Sequence, residues 1–261
     1  MNEPQPVPST EPVERRAVGI PLPYSAPVVT YSILGITVLV YLAQVVSVAV
    51  FGRVYHGIDW LELYGARINE LIRAGQVWRF LTPVLLHASP VHIFFNMYAL
   101  LSLGTGLERY FGHWRFLVLY LLGAFSGNVL SFLLATDSSF SVGASTAVFG
   151  LIAAEAVFLY QNRGLLGEQS RRAMGNIAFL IVVNLLLGLA PGIDMFGHIG
   201  GLLGGVTFAW FAGPRWEVEG IYPTLQLVDR REWRDVLFGA GLVLLLFGIL
   251  AVWGMMGGSL R

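Results

Sequence analysis

The chain contains neither cysteine nor lysine among its 261 residues. The first absence excludes disulfides and thiolate-bound metals. The second means that all sixteen cationic residues are arginines, so the cationic map can be read from one residue type. Charge is scarce as well: 12% of residues are charged, sixteen acidic against sixteen basic, while 56% are hydrophobic. Zero net charge argues against a nucleic-acid-binding surface. Taken together the composition is that of a membrane protein.

What fills the chain instead is a series of apolar runs near 30–51, 91–107, 115–135, 143–161, 174–190, 197–213 and 235–257. Each approaches the roughly 20 residues that carry a helix across hydrocarbon, the second and sixth being the shortest. Backbone groups in lipid must be bonded within the segment, and these runs show no alternating polarity. The predicted fold class is therefore all-α, a polytopic transmembrane helical bundle. Ahead of it, residues 1–28 carry seven prolines and are expected to form a flexible tail. The apolar run that follows is too long for a signal peptide and lacks a small-residue cleavage site.

Arginine placement predicts how the chain threads. Arg15 and Arg16 precede the first run, Arg109 and Arg115 separate the second from the third, and Arg163, Arg171 and Arg172 separate the fourth from the fifth. Arg215, Arg230, Arg231 and Arg234 separate the sixth from the seventh, whereas the connections 136–142 and 190–196 contain none. The positive-inside rule then puts the N-terminus in the cytoplasm and the C-terminus outside. The long first connection, 52–90, holds Arg53, Arg67, Arg73 and Arg79 among apolar residues at helical spacing. It is expected to be an amphipathic element lying on the membrane at the outer face.

With that threading, runs two, four and six all descend from the outer side and carry their unusual polar residues near that end. Run two contributes His92 and Asn96, which a four-residue spacing stacks on one helix face. Run four contributes Ser145, and run six His198 in "DMFGHIGGLLGG". At about 1.5 Å per residue, all four groups lie at one depth, within roughly 10 Å of the surface. Polar side chains in a membrane are expensive and usually functional. Gly201 and Gly205 follow His198 on one face, and the doublets Gly200–Gly201 and Gly204–Gly205 repeat a small-xxx-small spacing that lets helices approach closely. If run four is the partner, Ser145 and His198 come within hydrogen-bond reach, and Gly143 leaves room beside the serine for a substrate carbonyl.

"GASTAVFG", "HIFFN" and "FGHIGG", together with Trp78–Arg79 and "GLERYFG", resemble the rhomboid family of intramembrane serine proteases. The resemblance implies a six-helix catalytic core over 29–213, and a cytoplasmic linker with a seventh helix over 214–261. It implies a Ser–His dyad in which Ser145 attacks the scissile carbonyl and His198 takes its proton. Asn96, His92 and the Ser145 backbone N–H are implied to hold the oxyanion, with His87, Gly143, Phe149 and Gly201 supporting the site. Trp78 and Arg79 would anchor the first loop, and Glu108 with Arg109 would tie the inner end of run two. No cofactor or metal is implied. The expected partners are transmembrane protein substrates and the lipid bilayer, and the expected location is a prokaryotic plasma membrane.

Thr146 departs from the family pattern, where glycine usually follows the serine, and is expected to crowd the contact of run four. Phe149 keeps the aromatic ring expected beneath the catalytic histidine. Asp194 reads as a loop or cap residue rather than a triad acid. Glu155 reads as a snorkelling or paired carboxylate, and Asn128, Asn184 and Gln44 as interhelical hydrogen bonders. A metalloprotease would need H-E-x-x-H, which is absent, and an aspartyl protease two intramembrane aspartates, whereas Asp137 and Asp194 fall in connections. A three-histidine metal site from His87, His92 and His198 lacks a carboxylate or thiolate at matching depth. Noncatalytic rhomboid-like proteins that bind or escort transmembrane helices typically lack the serine or the histidine, and both are here.

Overall fold

The computed structural model describes residues 25–54, 57–136, 140–190 and 192–258. The predicted tail over 1–28 lies almost wholly outside them, as do Asp137 and Arg261. The long helices are α1 (Val28–Phe51), α4 (Pro90–Phe111), α5 (His113–Leu134), α6 (Ser145–Gln161), α7 (Arg163–Leu187), α8 (Met195–Ala212) and α9 (Trp233–Met255). Among the described residues, α1, α5, α7, α8 and α9 are long and apolar enough to cross a membrane. The protein is an integral, multi-pass membrane protein. The other two expected runs are also helices, but α4 is less apolar and α6 has only 17 residues. Both carry polar residues that their neighbours shield from lipid, and α6 is buried along most of its length.

Helix ends show that successive helices alternate in direction. Gly112, at φ 75°, turns α4 directly into α5. Glu108, one turn before the end of α4 and fully buried, accepts hydrogen bonds from Val29 N (2.8 Å), Thr30 N (2.7 Å) and Thr30 Oγ1 (2.7 Å). A carboxylate thus caps the orphan N–H groups of α1 from another helix, which favours both charge and hydrogen bonding. At the opposite end the start of α8 meets the end of α5, where Ser131 Oγ donates to Asp194.

The packing centre is α5, α6 and α8, where glycines remove the side chains that would hold backbones apart. A Cβ on Gly201 would lie 2.1 Å from Thr146 O, and one on Gly205 2.2 Å from Gly150 O. Gly200 and Gly204 face the other way, onto Ser126 of α5. Gly123 of α5 meets Gly150 of α6, and Gly127 meets Thr146 and Gly197. Each glycine doublet of α8 therefore serves two partners, one glycine apiece.

The first connection differs from the single amphipathic element expected. It folds into α2 (Trp60–Gly65), strand β1 (Arg67–Ile68), α3 (Asn69–Arg73) and two 3-10 turns over Val77–Phe80 and Thr82–Leu85. Strand β1 pairs with β2 (Phe140–Ser141). Arg67 and Arg79 are buried within this loop rather than spread at an interface. Arg79 donates to Ala66 O (2.6 Å) and Leu63 O (2.7 Å), and Trp78 Nε1 to Tyr64 O (3.1 Å), so the loop is held by backbone carbonyls of its own chain. Gln44 of α1 clamps it, bonding Asp59 and the backbone N–H of His87.

The linker before α9 is a hairpin of β3 (Trp216–Glu219) and β4 (Gln226–Asp229). Asn162, at the end of α6, bonds Pro214 O and Trp216 N, while Arg115 pairs with Asp229. Helix α7 begins earlier than expected, with a break at Gly167 (φ 55°), and buries only Ser170 and Ile177.

Candidate active site

Ser145 is the first residue of α6, so its N–H is among those that a helix leaves without an internal partner. The loop that delivers it is fixed at three points. Ser141 pairs with Arg67 across β1–β2, Gly143 N donates to Pro83 O (2.9 Å), and Ala144 N donates to His87 Nε2 (3.4 Å). Gly143 adopts φ 127°, a conformation that favours glycine.

The room Gly143 leaves is taken by an imidazole rather than left open. A Cβ there would lie 2.7 Å from His92 Cε1 and Nε2, and 3.8 Å from Ser145 Oγ, so His92 and the serine hydroxyl border the same point. Asn96, one turn along α4, is buried and donates Nδ2 to His92 O (3.0 Å). His87 packs edge-on against His92, ring centroids 5.1 Å apart. Burial, and secondarily the nearby His92, push the His87 pKa down to about 3. A neutral imidazole is what the Ala144 contact requires, since Nε2 must accept.

His198 stands in the first turn of α8, its N–H bonded to Asp194 O (3.1 Å). Its ring stacks on Phe149 at 4.1 Å between centroids and 12° between planes. Phe149 lies four residues below Ser145, so the imidazole of α8 is placed against the face of α6 that carries the serine. His198 Nδ1 is buried with no hydrogen-bond partner among the described residues. A hydroxyl at a helix N-terminus, an imidazole across from it and amide and imidazole donors beside it are the parts that acyl transfer needs: nucleophile, base and oxyanion donors.

Asp194 takes the cap role expected, accepting from Gly197 N (2.9 Å) and from Ser131 Oγ (2.6 and 2.7 Å). Other expected roles need correcting. Asn184 bonds Leu180 O within its own helix, and Asn128 bonds Phe80 O in the first loop. Gln44 likewise binds loop groups rather than a second helix. Glu155 is half-buried, and its Oε2 has no hydrogen-bond partner among the described residues. Sequence reasoning passed over Gly123, Gly127, Ser131 and Asn69; only the four-residue spacing of the two glycines, in "GAFSG", signalled a contact face.

The profile of the Rhomboid domain matches residues 74–215, more than half of the chain. Rhomboid-like protease 3 of Toxoplasma gondii is 34% identical over 209 residues, covering 79% of this chain and 74% of its own. RHOMBOID-like protein 2 of Arabidopsis thaliana is 34% identical over 194 residues, 72% of this chain and 61% of that one. The rhomboid protease GluP of Bacillus subtilis is 42% identical over 149 residues, 56% of this chain but only 28% of GluP. The chain belongs to the rhomboid family, several of whose members are named proteases.

Proposed function

We propose that the protein is an intramembrane serine endopeptidase that cuts transmembrane-helix substrates near the outer face of the membrane with a Ser145–His198 dyad. The observation that carries the reading is the stacking of His198 on Phe149 beneath Ser145, across a helix contact closed by glycine. In this reading Ser145 Oγ adds to the scissile carbonyl as His198 takes its proton, and the same imidazole returns the proton to the leaving amine. The Ser145 N–H, Asn96 and His92 hold the oxyanion, which is most costly to leave unbonded in a water-poor site. Water then attacks the acyl-enzyme with His198 again as base, releasing the new carboxylate.

The arginine pattern assigns the N-terminus to the cytoplasmic side and the C-terminus to the outside, in what we take to be a prokaryotic plasma membrane. Substrate helices enter from lipid beside α7, which buries so few of its residues that it can move without breaking the core. Extended or easily unwound substrate segments are favoured, because a stable helix hides its carbonyls from a nucleophile.

Reconstitution in liposomes with a generic single-span substrate tests the reading. Wild type is expected to cleave it, Ser145→Ala and His198→Ala to lose at least about a thousandfold in rate, and Asn96→Ala about a hundredfold. Equal cleavage by all four proteins would remove the dyad.

A further inference from the structure

The glycine contacts register α6 against α8 from Gly150 and Gly205 up to Thr146 and Gly201. Ser145 and His198 stand one step beyond, where both helices give way to connections. An ion pair between a buried arginine and a partly buried aspartate lies at that end. Arg67, 1% exposed, brings Nε to 3.8 Å from Asp194 Oδ2. Its Nη1 bonds Asn69, which is fully buried and donates Nδ2 to Phe132 O (3.0 Å) near the end of α5.

Each partner of this pair is joined by backbone to one half of the dyad. Arg67 pairs with Ser141 in the β1–β2 ladder, four residues ahead of Ser145. Asp194 accepts the His198 N–H on its carbonyl and the Gly197 N–H on its carboxylate, so it defines the turn from which the imidazole projects. Ser131 anchors the same carboxylate to α5. The carboxylate thus has its partners in the Gly197 backbone, a serine and an arginine, and works on His198 through the helix turn.

Burying a guanidinium is expensive, and a buried ion pair often adds little net stability over apolar packing, so a role in fixing geometry is the better account of this one. We propose that Arg67 and Asp194 are positioning residues for the Ser145–His198 pair, their ion pair setting the spacing between the strand that feeds the nucleophile and the helix turn that carries the base. The proposal rests on the protease reading and goes beyond it. A misplacement of about 1 Å in a reacting group can cost up to about a hundredfold in rate.

Cleavage kinetics and the labelling rate of Ser145 by a fluorophosphonate, normalised to folded protein, separate alignment from stability. The reagent needs the nucleophile and base but no docked helix. Arg67→Ala and Asp194→Ala are expected to lower kcat roughly 10- to 100-fold with KM within about twofold, and to slow labelling by the same factor. The double variant is expected to be no slower than the slower single one, because both remove one interaction. Arg67→Lys, which keeps the charge, is expected to recover part of the loss. Asp194→Asn, which keeps acceptors for Gly197 and Ser131 but loses the charge, is expected to be slowed as well, and carries the test if the alanine variants do not fold. Labelling of Asp194→Asn at the wild-type rate per folded molecule, with only the melting temperature lowered, would overturn the positioning role while leaving the dyad standing. A wild type that neither cleaves nor labels would instead take the protease reading down, and this inference with it.

Discussion

Beside Ser145, Thr146 shows how a single residue is accommodated by vacancies on two other helices. It is buried, and its methyl and Cβ fill the space left by Gly197 and Gly127: a Cβ on Gly127 would come within 2.6 Å of Thr146 Cβ. The crowding that its sequence position implied is therefore relieved by glycines on α8 and α5. Gly127→Ala is expected to destabilise the fold by about 1–3 kcal/mol, the usual cost of overpacking. Adding Thr146→Gly is expected to recover part of that in thermal unfolding in detergent. His87 supplies a second residue-level test. Its pKa lies near 3 when folded against the ordinary 6.5, so between those values the unfolded chain binds the extra proton. Stability is then expected to be full above pH 6.5 and to fall as pH drops toward 3, a decline that His87→Asn should flatten. Ser145, His198, His92 and Asn96 stand out in the sequence as candidates because they are polar groups at one depth of apolar runs. Arg67 does not, because one arginine in a mixed loop carries no mark of being buried.

Among the elements, α8 decides the geometry by presenting two glycine faces. Gly201 and Gly205 admit α6, while Gly200 and Gly204 admit α5. A methyl on Gly205 would meet the carbonyl of Gly150 at 2.2 Å, and backbone cannot yield as a flexible side chain does. Gly205→Ala is expected to force α6 and α8 apart, costing cleavage activity and lowering the melting temperature. Gly241→Ala on α9, where a Cβ meets nothing within 4 Å, is expected to leave both within error. The spacing in α8 foretold a close contact but not that it was shared. The choice of partner depends on Gly123 and Gly127, whose four-residue spacing marks a contact face without saying which helix meets it. The β3–β4 hairpin escaped notice for a different reason: its strands are four residues each, too short to show alternation.

Across the whole molecule, the alternation of helix directions rests on contacts between distant segments, such as Glu108 with the start of α1 and Asp194 with Ser131. Which end faces outward is proposed from arginine placement, and the lack of native cysteine makes it directly measurable. Single cysteines at Ala88 and at Tyr222, both exposed and at opposite ends, are expected to react differently with a membrane-impermeant maleimide in intact cells. The first should label from outside and the second only after lysis; the reverse pattern would invert the topology and put the site on the inner face. The bundle itself was legible from hydropathy, since lipid leaves a long apolar chain few alternatives to helix. The central claim, that His198 activates Ser145, is tested most directly by treating the purified protein with a fluorophosphonate and locating the adduct by mass spectrometry. The account predicts one adduct, on Ser145, formed by wild type and lost in His198→Ala although that variant stays folded. An adduct on another residue, or undiminished modification of Ser145 without the imidazole, would contradict it.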